Sequence, residues 1–190
     1  MKTYQIPKTK DPFVNTFLLD AGIDPATGEQ RYWFSTYNAF SGTTGVLLTE
    51  TGKYRKYAFD RHTPSASCPV PAKFPGFYNA VMEDGDTLWL VGTVDFAVRL
   101  SLSSGEYEVF PTGLIKYLSF GGIAFDATAK KLLLMAHSYC GNNRLEAASF
   151  DTANRRIVRN YSFDKPGFGT NRWRFANGDG RHTICVGSLK

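Results

Sequence analysis

Apolar and polar positions alternate in short runs along this chain. The clearest stretch is Phe77 to Thr112, FYNAVMEDGDTLWLVGTVDFAVRLSLSSGEYEVFPT. Tyr78–Met82 is an apolar run with few charges. Glu83-Asp84-Gly85-Asp86 follows as a turn, because Asp and Gly tolerate the tight backbone angles of a reversal. Thr87–Thr93 is rich in β-branched and aromatic residues and too short for a helix. Ala97–Leu102 puts Val98, Leu100 and Leu102 on one face and Arg99 and Ser101 on the other, as a half-buried strand does. Ser103-Ser104-Gly105 is a second turn. Tyr107–Phe110 alternates again and stops at Pro111, which has no N–H for a ladder bond. The pattern predicts four antiparallel strands in 36 residues.

The same unit recurs. Ahead of it, strands are predicted at Phe13–Leu19, Arg31–Tyr37, Gly45–Thr49 and Tyr54–Phe59, with turns at Asp24–Gly28 and Ser41–Thr44. Behind it, strands are predicted at Gly122–Phe125, Lys131–Ala136, Leu145–Phe150 and Arg156–Tyr161, with turns at 126–129, 141–143 and 152–154. A last unit opens with Trp173–Phe175, turns at 177–180 and starts a second strand at Thr183. Aligning the second strands puts Trp33, Trp89, Leu133 and Ile184 at one position, with the small residues Thr36, Gly92, Ala136 and Gly187 three places on. TGKY, SGEY and ANRR recur at the third turn. The spacings of 56, 44 and 51 residues bracket the period of about 40–50 residues found in propeller repeats.

The expected fold is therefore all-β, a β-propeller built from blades of four antiparallel strands. Residues 1–12 form an N-terminal arm, and blades fall near 13–60, 77–111 and 120–163, with a partial one at 171–190. Segment 61–76 carries four prolines, yet Cys68, Val70 and Phe74 suit a loop packed on the domain rather than a linker. Propellers close a ring with about 4–8 blades, and three and a half blades leave an apolar face and a raw strand edge. The expectation is that the remainder of a longer chain closes the ring. A homodimer, or the N-terminal arm supplying a missing strand, are the alternatives.

Composition agrees with strands and turns: 15 Phe, 10 Tyr and 18 Gly, and no sustained helical period. No apolar run approaches the ~20 residues of a membrane helix. The start, MKTYQIPKTKDPF, lacks the apolar core of a signal peptide. The expectation is a soluble, cytoplasmic chain with no membrane partner, or one whose signal has been removed. The net charge of +5 is spread over scattered Lys and Arg. No dense basic patch points to nucleic acid. Cys68, Cys140 and Cys185 are odd in number and lack CxxC pairing, which argues against a disulfide framework and a paired-cysteine zinc site.

Phe77–Thr112 resembles the streptogramin-lyase-type propeller repeat, a bacterial-type repeat. The residues that carry the resemblance are Asp84, Gly85, Leu88 and Trp89, then Arg99, Ser104, Gly105 and Glu106, then Phe110 and Pro111. GIAFDATAKKLLL in the third unit is similar to the opening of that repeat, and the likeness extends loosely over residues 13–190. The third turns also resemble the aspartic boxes of sialidase-like propellers. Ser149-Phe150-Asp151-Thr152-Ala153 is the nearest, Ser101–Gly105 lacks the aspartate, and the closing tryptophan is missing. The resemblance implies a fold. Such repeats serve lyases, sensor ectodomains and sugar-binding proteins alike. The lyase's own catalytic residues map onto no matching motif here.

In a propeller the loops from strand four to the next strand one, and from strand two to strand three, share one face. On that face the sequence would gather Tyr37, Asn38, His62, Tyr78, Asn79, Asp95, Lys116, Tyr117, His137, Tyr139, Arg172 and Trp173. Aromatic faces stack on sugars, and Lys or Arg binds carboxylates. The candidate ligand-binding residues are Tyr78, Asn79, Lys116, Arg172, Trp173 and His62. His137 with Tyr139 is the candidate acid–base pair for β-elimination of an acidic sugar. His137 also reads as a satisfied polar residue at a strand end, and His182 as a structural or solvated one. A metal at His62 and His137 would want a third ligand that is not identifiable, so no metal and no cofactor is expected. Three functions follow: a binding or sensing module for a carbohydrate or small molecule, a polysaccharide or streptogramin-type C–O lyase, or a protein-interaction scaffold.

Overall fold

A computed structural model describes residues 15–38, 42–59, 77–92, 96–111, 119–137, 144–164, 173–178 and 181–186. Every regular element among them is a strand, and no helix among them is long and apolar enough to cross a membrane. The strands β1 (Asn15–Ile23), β2 (Gln30–Asn38), β3 (Gly42–Thr49) and β4 (Tyr54–Ala58) form one sheet in that order. The second sheet is β5 (Phe77–Met82), β6 (Thr87–Gly92), β7 (Phe96–Ser101) and β8 (Tyr107–Pro111). The third is β9 (Ser119–Asp126), β10 (Lys131–His137), β11 (Arg144–Asp151) and β12 (Arg156–Asp164). A hairpin of β13 (Trp173–Gly178) and β14 (Arg181–Val186) follows. Each sheet is an antiparallel meander of sequential strands.

The expected strands are present among the described residues; several run longer than expected, and three of their ends show why. Gly42–Thr44 is not a turn but the start of β3, pairing with Asn38–Thr36; the β-branched Thr43 and Thr44 suit a pleated strand. Asn177 and Gly178 extend β13 opposite His182 and Arg181. Pro111 is inside β8, opposite Phe96, where an outer strand does not need its N–H.

Short turns at one end of the sheets share a side-chain device. Asp126 Oδ1 accepts from the N–H groups of Thr128 and Ala129, at 3.0 and 2.9 Å. Asp151 Oδ1 does the same for Ala153 and Asn154, and Asp84 Oδ1 for Asp86 and Thr87. These carboxylates satisfy turn amides that no ladder reaches. The third turn then needs a left-handed residue before its last strand. Gly52 (φ 88°), Gly105 (φ 82°) and Arg155 (φ 55°) occupy that position in the three sheets.

One hydrogen bond fixes the structural repeat. The residue after the third strand donates its N–H to a carbonyl at the entry to the second: Glu50 to Gln30 (2.9 Å), Leu102 to Asp86 (2.8 Å) and Thr152 to Lys130 (3.3 Å). Counting from it, Trp33, Trp89 and Leu133 are equivalent, as the aligned second strands predict. The register adds two positions. Gly45, Ala97 and Ala147 on the third strands lie diagonal to them, and Tyr57, Phe110 and Tyr161 on the fourth strands pair with those small residues.

The sheets pack face to face through two cores. Ala21, Trp33, Leu47 and Tyr57 of the first sheet meet Leu88, Leu90, Val98, Leu100 and Leu102 of the second. The opposite face of the second, Trp89, Val91, Ala97 and Phe110, meets Phe125, Leu132, Leu134, Ala148 and Phe150 of the third. Both faces of the second sheet are thus buried, so TLWLV reads as a continuous apolar run instead of an alternating one. The first strands lie side by side: β1 against β5, β5 against β9, β9 against β13.

Candidate functional site

Strand polarity sorts the candidate residues. First strands begin, and second strands end, at one end of the sheets. Tyr78 and Asn79 are the second and third residues of β5, His137 is the last of β10, and Trp173 is the first of β13. His137 pairs with Ser119 on one side and Leu145 on the other. The opposite, turn-bearing ends of the second and third sheets meet through Arg155 and Glu108, so Tyr78, Asn79 and His137 share one end, while Trp173 begins the strand that lies beside β9. Asn79 is half-buried. His62, Lys116, Tyr139 and Arg172 lie outside the described residues, as do Asp95 and Tyr117, so the His137–Tyr139 pair is not described.

The backbone at this end has a feature the sequence did not announce. Phe77 pairs with Gly92 and Asn79 with Val91, so β5 advances two residues where β6 advances one, with Tyr78 the extra residue. The same slip recurs in β9: Gly122 pairs with Met135 and Phe120 with Ala136, with Gly121 extra. Val91 and Met135 are equivalent in the repeat, so the two irregularities are too. Such bulges bend a strand and re-aim side chains, and they concentrate beside functional sites.

The opposite end carries a cleft that the sequence reading did not assign. Between the first two sheets lies a space of about 350 Å³, lined by Asp24, Pro25, Ala26, Arg31, Leu47, Thr49, Lys53, Tyr54, Arg55, Tyr57, Asp86, Leu102 and Ser103. Arg31 is the second residue of β2 and is only 3% exposed. Its Nη2 donates to the carbonyls of Ala21 (3.3 Å), Ile23 (3.3 Å) and Gly85 (2.5 Å), and its Nε has no partner. Arg55 donates to the carbonyls of Leu102 (2.9 Å), Ser103 and Ser104 (2.8 Å) and lies over the Tyr57 ring. Tyr57 donates its hydroxyl to the Leu102 carbonyl at 2.7 Å. Burial pushes its pKa up, against the nearby Arg55 charge that lowers it. Asp86 accepts from Ser101 Oγ, Ser103 N–H and Ser103 Oγ at 2.8–2.9 Å. The signal was present in the sequence as arginines at Arg31 and Arg55 within aromatic strands, but only the register brings them together.

No group of three His, Cys, Asp or Glu among the described residues could hold a metal ion. Comparison with known protein families finds no match to this chain, and no curated protein matches its sequence significantly.

Proposed function

We propose that this chain is a ligand-binding β-propeller module that takes a carbohydrate, acidic in preference, at the end where its first strands begin. In this reading each four-stranded sheet is a blade, and the adjacent first strands line the central axis. The three-fold recurrence of the turn bond, the two sheet–sheet cores and the side-by-side first strands support that architecture.

The observation that carries the site is the repeated bulge at Tyr78 and Gly121. It disturbs the ladder of the innermost strands at the end that also holds Asn79, His137 and Trp173. An aromatic, an amide and an imidazole at such an end suit a sugar, whose ring faces stack and whose hydroxyls accept and donate. Basic Lys116 and Arg172 would select an acidic one.

A glycan array probed with the purified protein tests this. Acidic glycans above background are expected, with Tyr78→Ala and Trp173→Ala weakening binding while thermal stability stays nearly unchanged. An array without a hit, or binding that vanishes in moderate salt whichever sugar is offered, refutes the proposal. Turnover of the bound glycan, abolished by His137→Ala, would make the module a lyase.

A further inference from the structure

We infer that the cleft between the first two sheets, at the end opposite the proposed glycan site, binds a small carboxylate carried on a flat ring. Its volume of about 350 Å³ lies at the small end of the roughly 300–1,000 Å³ of ligand pockets. A ring of six atoms with a carboxylate fits such a space. Most of the wall is apolar, and the rings of Tyr54 and Tyr57 are part of it. Tyr54 is 52% exposed, a large aromatic left facing water at the cleft.

The charge balance decides the sign of the ligand. Arg31, Lys53 and Arg55 line the cleft with Asp24 and Asp86. Among the described residues both guanidinium groups give their hydrogen bonds to backbone carbonyls and none to a carboxylate. Carbonyl dipoles satisfy donors but do not cancel a full charge. Asp86 is engaged by the hydroxyls of Ser101 and Ser103 and the Ser103 N–H. Lys53 is loosely placed, 3.9 Å from Glu29 with its side chain 77% exposed, and is free to swing onto a ligand. Arg31 is buried with an unpartnered Nε, and a buried cation left short of partners is costly. An anion in the cleft supplies the missing counter-charge.

The test is calorimetric or NMR titration of the protein with benzoate, with benzamide as its neutral isostere, and with inorganic phosphate. Benzoate is expected to bind saturably, and benzamide about tenfold more weakly, the worth of one charge-assisted contact. Lys53→Gln and Tyr54→Ala alter exposed side chains, so both variants fold, and each is expected to weaken benzoate about three- to tenfold. The inference is overturned by no saturable benzoate binding up to about 10 mM, an affinity well within reach of a ligand of this size. Equal affinity for benzamide, equal affinity for phosphate, or indifference to both substitutions overturns it as well. The cleft and the glycan end are separate, so each experiment fails or succeeds without the other.

Discussion

Trp89 is the side chain on which the junction of the second and third sheets turns. It is fully buried, with its ring 5.2 Å from Phe110 and 6.3 Å from Phe150, the latter edge-on. Its Nε1 donates to Glu83 Oε2 at 2.8 Å. Trp89→Ala would remove the indole from between two sheets whose backbones are held by their own ladders. Collapse is therefore limited, and the cost is that of large aromatic truncation, about 3–5 kcal/mol. Trp89→Phe separates the components. It keeps an aromatic plug and loses the Glu83 bond, and Glu83 retains Arg99 at 3.0 Å, so a loss of about 1–2 kcal/mol is expected. Denaturant titration followed by circular dichroism measures both, since removing an indole alters the fluorescence. A loss under about 1 kcal/mol for the alanine variant, the level of ordinary surface substitutions, would place Trp89 outside a core and refute the face-to-face packing.

Three further outcomes are expected. Gly45→Ala places a Cβ inside the Trp33 indole on a strand paired on both sides. It should cost about 1–3 kcal/mol by overpacking, and an unchanged denaturation midpoint would show that the ring yields freely. Arg155 Nη1 lies 2.7 Å from Glu108 Oε1, both exposed. Glu108→Arg should destabilise by up to about 1 kcal/mol, and Glu108→Arg combined with Arg155→Glu should recover it; a double-mutant cycle without coupling would dismiss the pair. Partial burial works to raise the pKa of Asp84, but hydrogen bonds from Asp86 N–H, Thr87 N–H and Thr87 Oγ1, with the Arg99 charge, hold it below 3.8. Its folded value is depressed, so its contribution is present above the unfolded value and lost as pH falls through the folded one. Asp84→Asn should then show a flatter stability–pH curve in acid than the wild type, and parallel curves would refute the assignment.

Local signals carried the strands and the turns. Thr87–Val91 and Lys131–Met135 are short, largely apolar runs set between turn segments, and each pairs with the strands next to it in sequence. The equivalence of Trp33 and Trp89 was legible because each stands in a second strand with a small residue, Thr36 or Gly92, three places on. The small-residue position of Gly45, Ala97 and Ala147 was not, since its meaning depends on the indole lying diagonally across the strand. The cleft was hidden for the same reason. Arg31 and Gly85 are 54 residues apart, and no periodicity predicts that one side chain caps the other's turn. The bulge at Tyr78 has no compositional mark that separates it from the strand around it, whereas the one at Gly121 sits in a Gly-Gly pair of the kind that marks bulges.

The two sheet junctions use one geometric position with opposite chemistry, and this explains why the sheets follow one another in this order. Arg55 pairs with Leu47 and Glu108 with Arg99, at equivalent places on β4 and β8. Each faces the third turn of the next sheet. Arg55 meets the turn that carries Gly105, which has a left-handed φ of 82° and where a Cβ would stand 2.8 Å from Arg55 Nη2, so a side chain there would displace the guanidinium. Glu108 meets the turn in which Arg155 replaces that glycine, and the Arg155 guanidinium lies over Phe110. Stacking the first sheet directly on the third would bring Arg55 against Arg155, two cations at a site that has lost its glycine. Repeated units with near-identical apolar faces could otherwise pair out of order, and the hydrophobic effect, being non-directional, would not object. Steric room at Gly105 and charge at Glu108 supply the discrimination that the cores cannot.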